Sequence, residues 1–204
     1  MKRTLVCCHP YDKSLNAAIK SAIMEVHKKI DVQFKVFDLY ESQFNPVMSQ
    51  KELREFSRAR MKCGINIENL DPMAVEMARE INESDELILL FPIWWELMPA
   101  QMKGFIDKVI FPGLFYTNVG EFRMKPVSDT LKKVTVITTM NTPNILYRIM
   151  YGSSINFALK YGTFKKLGVK RYRWMNLSSV KFKSQSKRLE YLNQIEIAFK
   201  STHC

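Results

Sequence analysis

The sequence predicts a single doubly wound α/β domain, in which five parallel strands alternate with helices that cover both faces of the sheet. Short apolar runs of strand length alternate along the chain with apolar residues at helical spacing. No repeat, linker or low-complexity segment interrupts this alternation. The length of 204 residues fits one domain with a sizeable core, so residues 1–204 are expected to form one domain.

Five apolar runs of strand length define the predicted sheet. In chain order they are Thr4–Cys8, Val32–Phe37, Leu87–Phe91, Val134–Thr138 and Lys170–Leu177. In the fifth run Tyr172 and Trp174 alternate with arginines, which is typical of a half-exposed edge strand. Five strands of this kind commonly take the order 2-1-3-4-5, which reverses between the first and third strands. Ligands of such sheets bind at that point, outside the carboxyl ends of the strands.

Helices are predicted between the strands from the spacing of apolar residues and from capping residues. The first lies between Leu15 and Val26, and either Ser14 or Asn16 can cap it. The other predicted helical segments are Ser49–Lys62, Pro72–Asn82 with Asp71 as its cap, Pro99–Ile110, Ile145–Leu167 with breaks near Gly152 and Gly162, and Gln185–Lys200. Residues 111–125 contain one proline and two glycines and are expected to be irregular.

The stretch Glu86–Tyr116 combines a buried strand, an aromatic loop and a helix. Pro92 cannot donate to a sheet ladder and therefore ends the strand or turns it outward. Trp94 and Trp95 follow at once, and Pro99 then opens the helix. A loop with two indole rings at the carboxyl end of a strand offers a flat apolar wall, which suits a planar ring system. The alternative is that these tryptophans belong to the core.

Composition and cysteine usage limit the class of protein. Hydrophobic residues make up 47% and charged residues 25%, as in ordinary soluble domains. No apolar run has the roughly 18 residues needed to cross a bilayer, and the start is too short for a signal peptide, so a cytoplasmic protein is expected. The cysteines are expected to be free thiols, and no cluster has zinc spacing, so no metal site is predicted. Cys8 beside His9 is a poor catalytic pair because neighbouring strand residues face apart.

The formal net charge of +11 is unevenly placed. Residues 1–102 carry 13 Lys and Arg against 15 Asp and Glu, whereas residues 103–204 carry 18 against 5. A basic second half attracts anions such as a phosphorylated cofactor, a nucleic acid or an acidic membrane surface. The alternative is a solvated surface that serves solubility.

The first loop carries neither GxGxxG nor GxxxxGK[ST], the two common phosphate-binding fingerprints. Free amides at a helix start bind phosphate, Ser14 and Asn16 can add hydrogen bonds, and His9 can add a donor or a charge. Helix capping explains Ser14 and Asn16 equally well. Thr138 and Thr139 lie at the same edge of the sheet and could bind the polar edge of a heterocycle. No catalytic triad or carboxylate pair is recognisable, which favours chemistry carried by a bound cofactor.

Several motifs within residues 4–142 are shared with one enzyme family. They are His9-Pro10, Ser14-Leu15-Asn16, Phe91-Pro92-Ile93-Trp94-Trp95, Met98-Pro99-Ala100, Lys103-Gly104-Phe105-Ile106-Asp107-Lys108-Val109, Pro112-Gly113, Phe115-Tyr116 and Thr138-Thr139. In them the sequence resembles the flavodoxin-like-fold family of NAD(P)H:quinone oxidoreductases, which includes azoreductase-like enzymes and potassium-efflux ancillary proteins. The segment 140–143, MNTP, departs from the Gly-Gly pair that the family's quinone reductases often carry after the threonines.

The resemblance implies a flavodoxin-like domain whose three loops bind a flavin. The implied contacts are His9, Ser14, Leu15 and Asn16 at the phosphate end, Pro92, Ile93, Trp94 and Trp95 along the isoalloxazine, and Thr138, Thr139 and Asn141 at its polar edge. Tyr116 would lie near the substrate pocket as the catalytic candidate. Tyr147 is a possible counterpart of a family tyrosine, without a matching histidine. FMN is the favoured flavin, because a compact chain offers little to cover an adenosine, and FAD is the alternative.

The implied activity is hydride transfer from NAD(P)H through the flavin to a quinone, azo or nitroaromatic acceptor, in a homodimer with sites at the subunit interface. One alternative is a flavin-bound regulatory subunit of a membrane transport protein. An electron carrier is disfavoured because such carriers need an acidic docking face. Nucleic-acid binding through the basic residues 171–188 is also disfavoured, because Tyr172 and Trp174 alternate as core residues would.

Overall fold

A computed structural model describes residues 1–61, 63–119 and 123–200, and it contains the predicted sheet. Its strands are β1 (Lys2–Cys7), β2 (Gln33–Asp38), β3 (Glu86–Pro92), β4 (Tyr116–Val119), β5 (Arg123–Pro126), β6 (Lys133–Thr139) and β7 (Arg171–Leu177). Five of them pair in parallel in the order β2-β1-β3-β6-β7. This is the predicted 2-1-3-4-5 order, so the predicted fold class is confirmed.

Helices cover both faces of the sheet. They are α1 (Leu15–His27), α2 (Gln50–Arg60), α3 (Pro72–Asn82), α4 (Ala100–Val109), α5 (Asn144–Tyr151), α6 (Ser154–Phe157) and α7 (Gln185–Lys200), with a π-helix over Ala158–Phe164. Apolar residues of α1 and α7 form the core on one face, and those of α3 to α6 form the core on the other. Ser14, Ser49 and Asp71 accept hydrogen bonds from the first turns of α1, α2 and α3. Each cap satisfies an amide that the helix itself leaves unpaired.

Two parts of the prediction need correction. Residues 111–125 are not wholly irregular, because β4 and β5 pair as an antiparallel hairpin, and Gly113 of the loop after α4 donates to Tyr116 O in β4. Its exposed segments lack the apolar alternation that marks a core strand. Gly162 does not break the helix either, because it lies inside the π-helix, whereas Gly152 ends α5 with a φ of 59°. Lys62, Gly120 and Cys204, which also entered the prediction, lie outside the described residues.

The prediction of β7 as an edge strand is confirmed. It pairs only with β6 in the order of the sheet. Arg171 and Arg173 are exposed, while Tyr172 and Trp174 are partly buried against the core. None of the helices in the described parts of the chain combines the length and the apolar character that crossing a membrane would need.

A buried ion pair lies where β1, β3 and β6 begin. Arg3 Nε is 3.1 Å from Glu86 Oε2, and both side chains are excluded from solvent. Lys133 Nζ lies 3.1 Å from the other Glu86 oxygen, which also accepts the Thr135 hydroxyl at 2.7 Å. Arg3 Nη1 donates to Phe199 O at 3.0 Å. The ion pair therefore joins the end of α7 to the middle of the sheet.

His27 contacts the same arginine and is held as a neutral ring. Its Nδ1 lies 2.7 Å from Ile23 O and must donate, so Nε2 accepts from Arg3 Nη1 at 3.1 Å. Burial lowers the pKa of His27, and the charge of Arg3 lowers it further, against the carbonyl of Ile23 and the carboxylate of Glu86. A second ring proton would face the guanidinium. The neutral form is therefore the folded form.

This arrangement predicts that stability falls as pH falls below neutrality. Unfolded His27 takes up a proton near pH 6.5, whereas the folded ring takes it up only at lower pH. The stability that depends on the neutral ring is therefore fully present above pH 6.5 and is lost as the pH falls below that value. One such proton contributes a slope of at most about 1.4 kcal/mol per pH unit. In urea unfolding at pH 7.5 and pH 5.5, we expect His27→Gln to lose less stability than the unmodified protein. An equal loss in both would contradict the assignment.

Candidate active site

The three loops singled out from the sequence meet at one edge of the sheet. β1 and β3 are neighbours, and β3 pairs with β6 up to Pro92 and Thr139. The order of the strands reverses between β1 and β3, which is where ligands of open α/β sheets bind. The loops after β1, β3 and β6 therefore surround the expected ligand position.

His9 connects the first loop to the aromatic loop. Its Nδ1 accepts the Tyr11 amide at 3.1 Å, so the proton of the neutral ring lies on Nε2. Its ring lies 6.0 Å from that of Trp94 in an edge-to-face arrangement. Burial lowers the pKa of His9, against the effect of its contact with Tyr11. His9 therefore offers a neutral N–H donor.

The start of α1 is built to receive an anion. Ser14 Oγ accepts the Ala17 amide at 3.1 Å, which makes Ser14 the cap and leaves its hydroxyl hydrogen free to donate. The amides of Leu15 and Asn16 are the first two of the helix and have no partner within it. No acidic residue lies in the first turn. Capping and anion binding are therefore compatible functions of this segment.

Asn16 links the helix start to the loop after β6. The side chain is buried, and its Nδ2 donates to Thr139 Oγ1 at 2.7 Å. Asn16 Oδ1 is also buried and has no hydrogen-bond partner within the described part of the chain. A buried acceptor without a donor is costly. A ligand hydroxyl or N–H at this position would satisfy it.

Trp95 lies at the tip of a tight turn. The turn is closed by hydrogen bonds from Trp94 N to Leu97 O at 2.9 Å and from Leu97 N to Trp94 O at 3.0 Å. Trp95 and Glu96 have φ values of 50° and 62°, as in a type I′ turn. Each non-glycine residue in this conformation costs about 1–2 kcal/mol. The side chain of Trp95 is 97% exposed, so the alternative that it belongs to the core is wrong.

Contacts from the far side hold this strained turn. Glu96 O accepts the hydroxyls of Tyr147 at 3.1 Å and Ser154 at 3.2 Å, and Glu96 Oε1 accepts the hydroxyl of Thr142 at 2.5 Å. Tyr147 is fully buried, and its oxygen also accepts the Ile155 amide. Tyr147 is therefore a supporting residue of the turn.

Two further predicted residues make contacts away from the centre of the site. The hydroxyl of Thr138 accepts a hydrogen bond from Trp174 Nε1 at 2.9 Å and donates to Asn176 Oδ1 at 2.7 Å. Both of its partners are side chains of β7, so this hydroxyl is already fully paired. Asn141 Oδ1 accepts the Lys181 amide at 3.1 Å. The carbonyl of Thr139 accepts the Ile93 amide at 2.8 Å. Thr138 therefore offers a ligand only its backbone, whereas the side chain of Thr139 faces Asn16.

A cavity of about 780 Å³ lies between β1, α1 and the end of β2 and adjoins the first loop. His9 and Asn16 line it, together with four charged residues that the sequence did not single out as site residues, namely Asp12, Lys20, Asp38 and Glu41. Lys20 Nζ lies 2.7 Å from Asp38 Oδ2 and 2.8 Å from Glu41 Oε1. Burial alone would raise the pKa of Asp38, but the hydrogen bonds from Lys20 and the Glu41 amide outweigh it and lower that pKa. The position of Asp38 at the end of a strand was the available signal.

Cys7 and Cys8 are buried free thiols. Burial raises the pKa of both, that of Cys8 to about 12. Neither is a thiolate at neutral pH, so neither is an activated nucleophile. Within the described ranges no group of three His, Cys, Asp or Glu side chains could hold a metal ion.

Tyr116 does not join the other predicted residues within this chain. It is buried in β4, where it pairs with Pro126 and its carbonyl accepts the Gly113 amide at 2.7 Å. Burial raises the pKa of its phenol, against the charge of Arg60. The ten residues of α4, about 15 Å of helix, separate this hairpin from the aromatic turn along the chain. Its role in a substrate pocket stays a prediction.

The remaining site residues form one constellation that suits a phosphorylated, planar ligand. It combines the open amides of α1, the exposed ring of Trp95 and the unsatisfied oxygen of Asn16. A family model described as flavodoxin-like fold matches residues 1–197. The chain belongs to the flavodoxin-like fold family. The resemblance found in the sequence motifs is confirmed.

Three similar proteins illustrate the range of this flavodoxin-like family. YcaK of Escherichia coli K12, an uncharacterized NAD(P)H oxidoreductase, is 34% identical over 112 residues, which cover 55% of this chain and 54% of that protein. An NAD(P)H:quinone oxidoreductase from Methanothermobacter marburgensis has a TM-score of 0.82 at 24% identity, over 100% of this chain and 97% of that one. An FMN-dependent NADH-azoreductase from Bacillus anthracis, in complex with FMN, has a TM-score of 0.75 at 13% identity, over 98% of both.

These likenesses differ in what they establish. The two solved structures share less than a quarter of their residues with this chain and show the fold. The first curated relatives are matched over only 52–56% of their own length, so the chain spans about half of them.

Proposed function

We propose that this flavodoxin-like chain is a flavin-dependent NAD(P)H oxidoreductase that reduces quinone, azo or nitroaromatic acceptors. One observation carries the proposal. The open start of α1, the exposed Trp95 and the Asn16–Thr139 contact converge where the strand order reverses. The names of the similar proteins, an NAD(P)H oxidoreductase, a quinone oxidoreductase and an azoreductase, support the same activity.

The residues divide into a phosphate end and a ring end. The amides of Leu15 and Asn16, the hydroxyl of Ser14 and Nε2–H of His9 would bind the phosphate. The backbone from Pro92 to Trp95 would lie along the ring, with Thr139 and the backbone of Thr138 at its polar edge. Asn16 Oδ1 would accept from the hydroxylated chain between the two ends. The bound flavin would supply the hydride and electron transfer that these side chains cannot.

FMN is the cofactor we propose. The phosphate end of the site provides one helix start, which suits a single phosphate. FAD would need to place its adenosine beyond that phosphate, and the neighbouring cavity would be the available space. The Lys20–Asp38 and Lys20–Glu41 ion pairs line that cavity and would have to open. NAD(P)H is the proposed donor, and the basic second half of the chain would attract this anion.

A homodimer with sites at its interface is part of the proposal. Large apolar side chains are exposed beside the site, on the aromatic turn and on α5, namely Trp95, Leu97, Ile145, Leu146, Ile149 and Met150. Exposed apolar surface on this scale is typical of an interface. A dimer would also account for Tyr116, because this residue lies away from the site of its own chain and would act in the site of the partner.

The free thiols of Cys7 and Cys8 support a reducing compartment, and we infer a cytoplasmic location.

The site assignment is tested by two single variants, Asn16→Ala and Trp95→Ala. We expect both purified proteins to retain less flavin, and Asn16→Ala to bind added FMN at least tenfold more weakly, because it loses the buried acceptor and the contact with Thr139. The matched control for Trp95 is Phe182→Ala, which removes an aromatic ring that is 80% exposed and is not among the predicted site residues. Flavin content is measured by absorbance after heat release. Unchanged flavin content in both site variants would refute the assignment.

Steady-state turnover separates this activity from its alternative. A regulatory subunit of a membrane transport protein would bind flavin through the same loops but oxidise NAD(P)H very slowly. The enzyme is expected to oxidise NAD(P)H in the presence of a quinone, with kinetics in which donor and acceptor use the pocket in turn. Bound flavin without turnover would favour the regulatory subunit.

A further inference from the structure

A second cavity lies at the opposite end of the sheet from the candidate active site, where β6 and β7 begin. It measures about 600 Å³, and six basic residues converge on it, namely Lys133, Lys160, Lys165, Lys170, Arg171 and Arg173. They come from the start of β6, from the π-helix and the residue that follows it, and from the start of β7 and the residue that precedes it. We call this cavity the basic cleft. Neither the proposed activity nor the flavin loops use it.

The charges of the basic cleft are almost uncompensated. Of its six basic residues only Lys133 has a carboxylate partner among the described residues, Glu86 at 3.1 Å. Lys165 Nζ donates instead to a backbone carbonyl, that of Lys170, at 2.8 Å. Elsewhere on the molecule Lys2, Lys20 and Lys108 each contact two carboxylates. Like charges held around one cavity repel each other, and a multivalent anion would remove that repulsion.

Tyrosines add a neutral donor and an aromatic surface to the cleft. Tyr172 lines it, and its hydroxyl is buried with no hydrogen-bond partner in the described ranges. Burial raises the pKa of Tyr172, so the phenol keeps its proton and can donate. Tyr161 is 49% exposed, and Lys160 Nζ lies 4.8 Å from the centre of its ring. A phenol without a partner can donate to a ligand oxygen that reaches it.

The basic cleft is separate from the flavin loops. The seven residues of β7 run from the cleft at Arg171 to Leu177, whose carbonyl accepts the Met140 amide beside the candidate active site. At about 3.3 Å per residue the two sites lie about 20 Å apart. A dinucleotide bound at the flavin loops therefore does not account for these charges.

We propose that the basic cleft binds a compact anion that carries two or more phosphate groups, of the class of nucleoside diphosphates and triphosphates. Its volume falls in the range of small-molecule sites, about 300–1,000 Å³. A concave site favours a small ligand over a flat lipid surface. Single-stranded nucleic acid would need several stacking aromatics along an open groove. Of the two aromatic residues that line the cleft, Tyr161 is exposed, whereas Tyr172 packs against the core.

Protection of the sheet edge is the other physical explanation for these charges. Exposed edge strands often carry Lys and Arg, which discourage pairing with another strand. Edge protection requires that charges point into solvent. It gives no reason for a buried, unpartnered phenol, or for Lys160 of the π-helix and Lys165 that follows it. It also predicts no saturable binding. The two explanations therefore separate in one experiment.

The experiment is titration calorimetry with pyrophosphate, ATP and adenosine, on the full chain in the presence of excess FMN. The test variant is Lys165→Gln with Arg171→Gln. The control is Lys28→Gln with Lys187→Gln, which removes the same charge from two lysines paired with glutamates elsewhere on the surface. We expect saturable, salt-sensitive binding of pyrophosphate and ATP but not of adenosine, weakened at least tenfold in the test variant and less than twofold in the control. Thermal unfolding checks that both variants are folded.

Three results would overturn the proposal. Absence of saturable binding at millimolar concentration would favour edge protection. Equal weakening in test and control variants would assign the binding to overall charge. Binding of vesicles with acidic lipids, or of single-stranded RNA, that depends on the two cleft residues while pyrophosphate and ATP do not bind, would assign the cleft to a macromolecular surface.

Discussion

The Glu86→Gln variant is expected to unfold with a free energy about 3–5 kcal/mol lower than the unmodified protein, because it leaves a buried cation without its counter-charge. Arg3 is 1% exposed and is also bound to Phe199 O and His27, so it cannot move to solvent when the carboxylate is removed. Lys133 is 18% exposed at its side chain and can move. The loss therefore comes mainly from Arg3.

Urea unfolding of Glu86→Gln and of Glu83→Gln tests this expectation. Glu83 also accepts a lysine ammonium, that of Lys2 at 2.8 Å, but its side chain is 68% exposed. An exposed pair is screened by water, so the control should change stability far less. A double variant, Arg3→Met with Glu86→Leu, should recover much of the loss, because apolar residues of similar volume need no counter-charge. Similar losses in Glu86→Gln and Glu83→Gln would show that burial of the pair does not matter.

The strand order and the convergence of the three loops could be predicted because local patterns determine them. Buried parallel strands appear in sequence as short apolar runs, and the alternation of β7 identified it as an edge. Once the strands are ordered, their carboxyl ends have to meet. The apolar cores on the two faces of the sheet follow from the same periodicity.

The conformation of the aromatic turn could not be predicted, because distant residues maintain it. Type I′ turns usually carry Asn-Gly, and nothing local marks Trp95 and Glu96 for positive φ. Thr142, Tyr147 and Ser154 supply the hydrogen bonds that hold Glu96, and they lie 46 to 58 residues further along the chain. Strain of this kind is often stored at functional sites.

The direction in which individual side chains point could not be predicted from the sequence either. Thr138 and Thr139 look equivalent as a pair, yet the pairing of β6 with β7 directs the Thr138 hydroxyl to Trp174 and Asn176, while Thr139 faces Asn16. The ion pairs of Lys20 beside the first loop depend on the same kind of information, since Asp38 ends a neighbouring strand.

Gly104 is the position at which a single added methyl group should disturb both the fold and the site. It lies inside α4, where glycine is about 1 kcal/mol less favourable than alanine. A Cβ there would lie 2.3 Å from Pro46 Cα and 2.4 Å from Pro46 O. Those are backbone atoms, so α4 itself would have to move. The sequence pointed to Gly104 only through a family motif, and this close approach is its physical reason.

We expect Gly104→Ala to lower the free energy of unfolding by about 1–3 kcal/mol, the usual effect of overpacking a core. Because α4 begins three residues after Leu97, a displaced helix also moves the aromatic turn, and the purified variant should retain less flavin. Gly162→Ala is the matched control, since it lies in a helix with no atom within 4 Å of the added carbon, and it should be neutral or stabilise by up to about 1 kcal/mol. Urea unfolding and flavin absorbance measure the two effects. If Gly104→Ala loses stability but keeps its flavin, the position of α4 does not set the geometry of the turn.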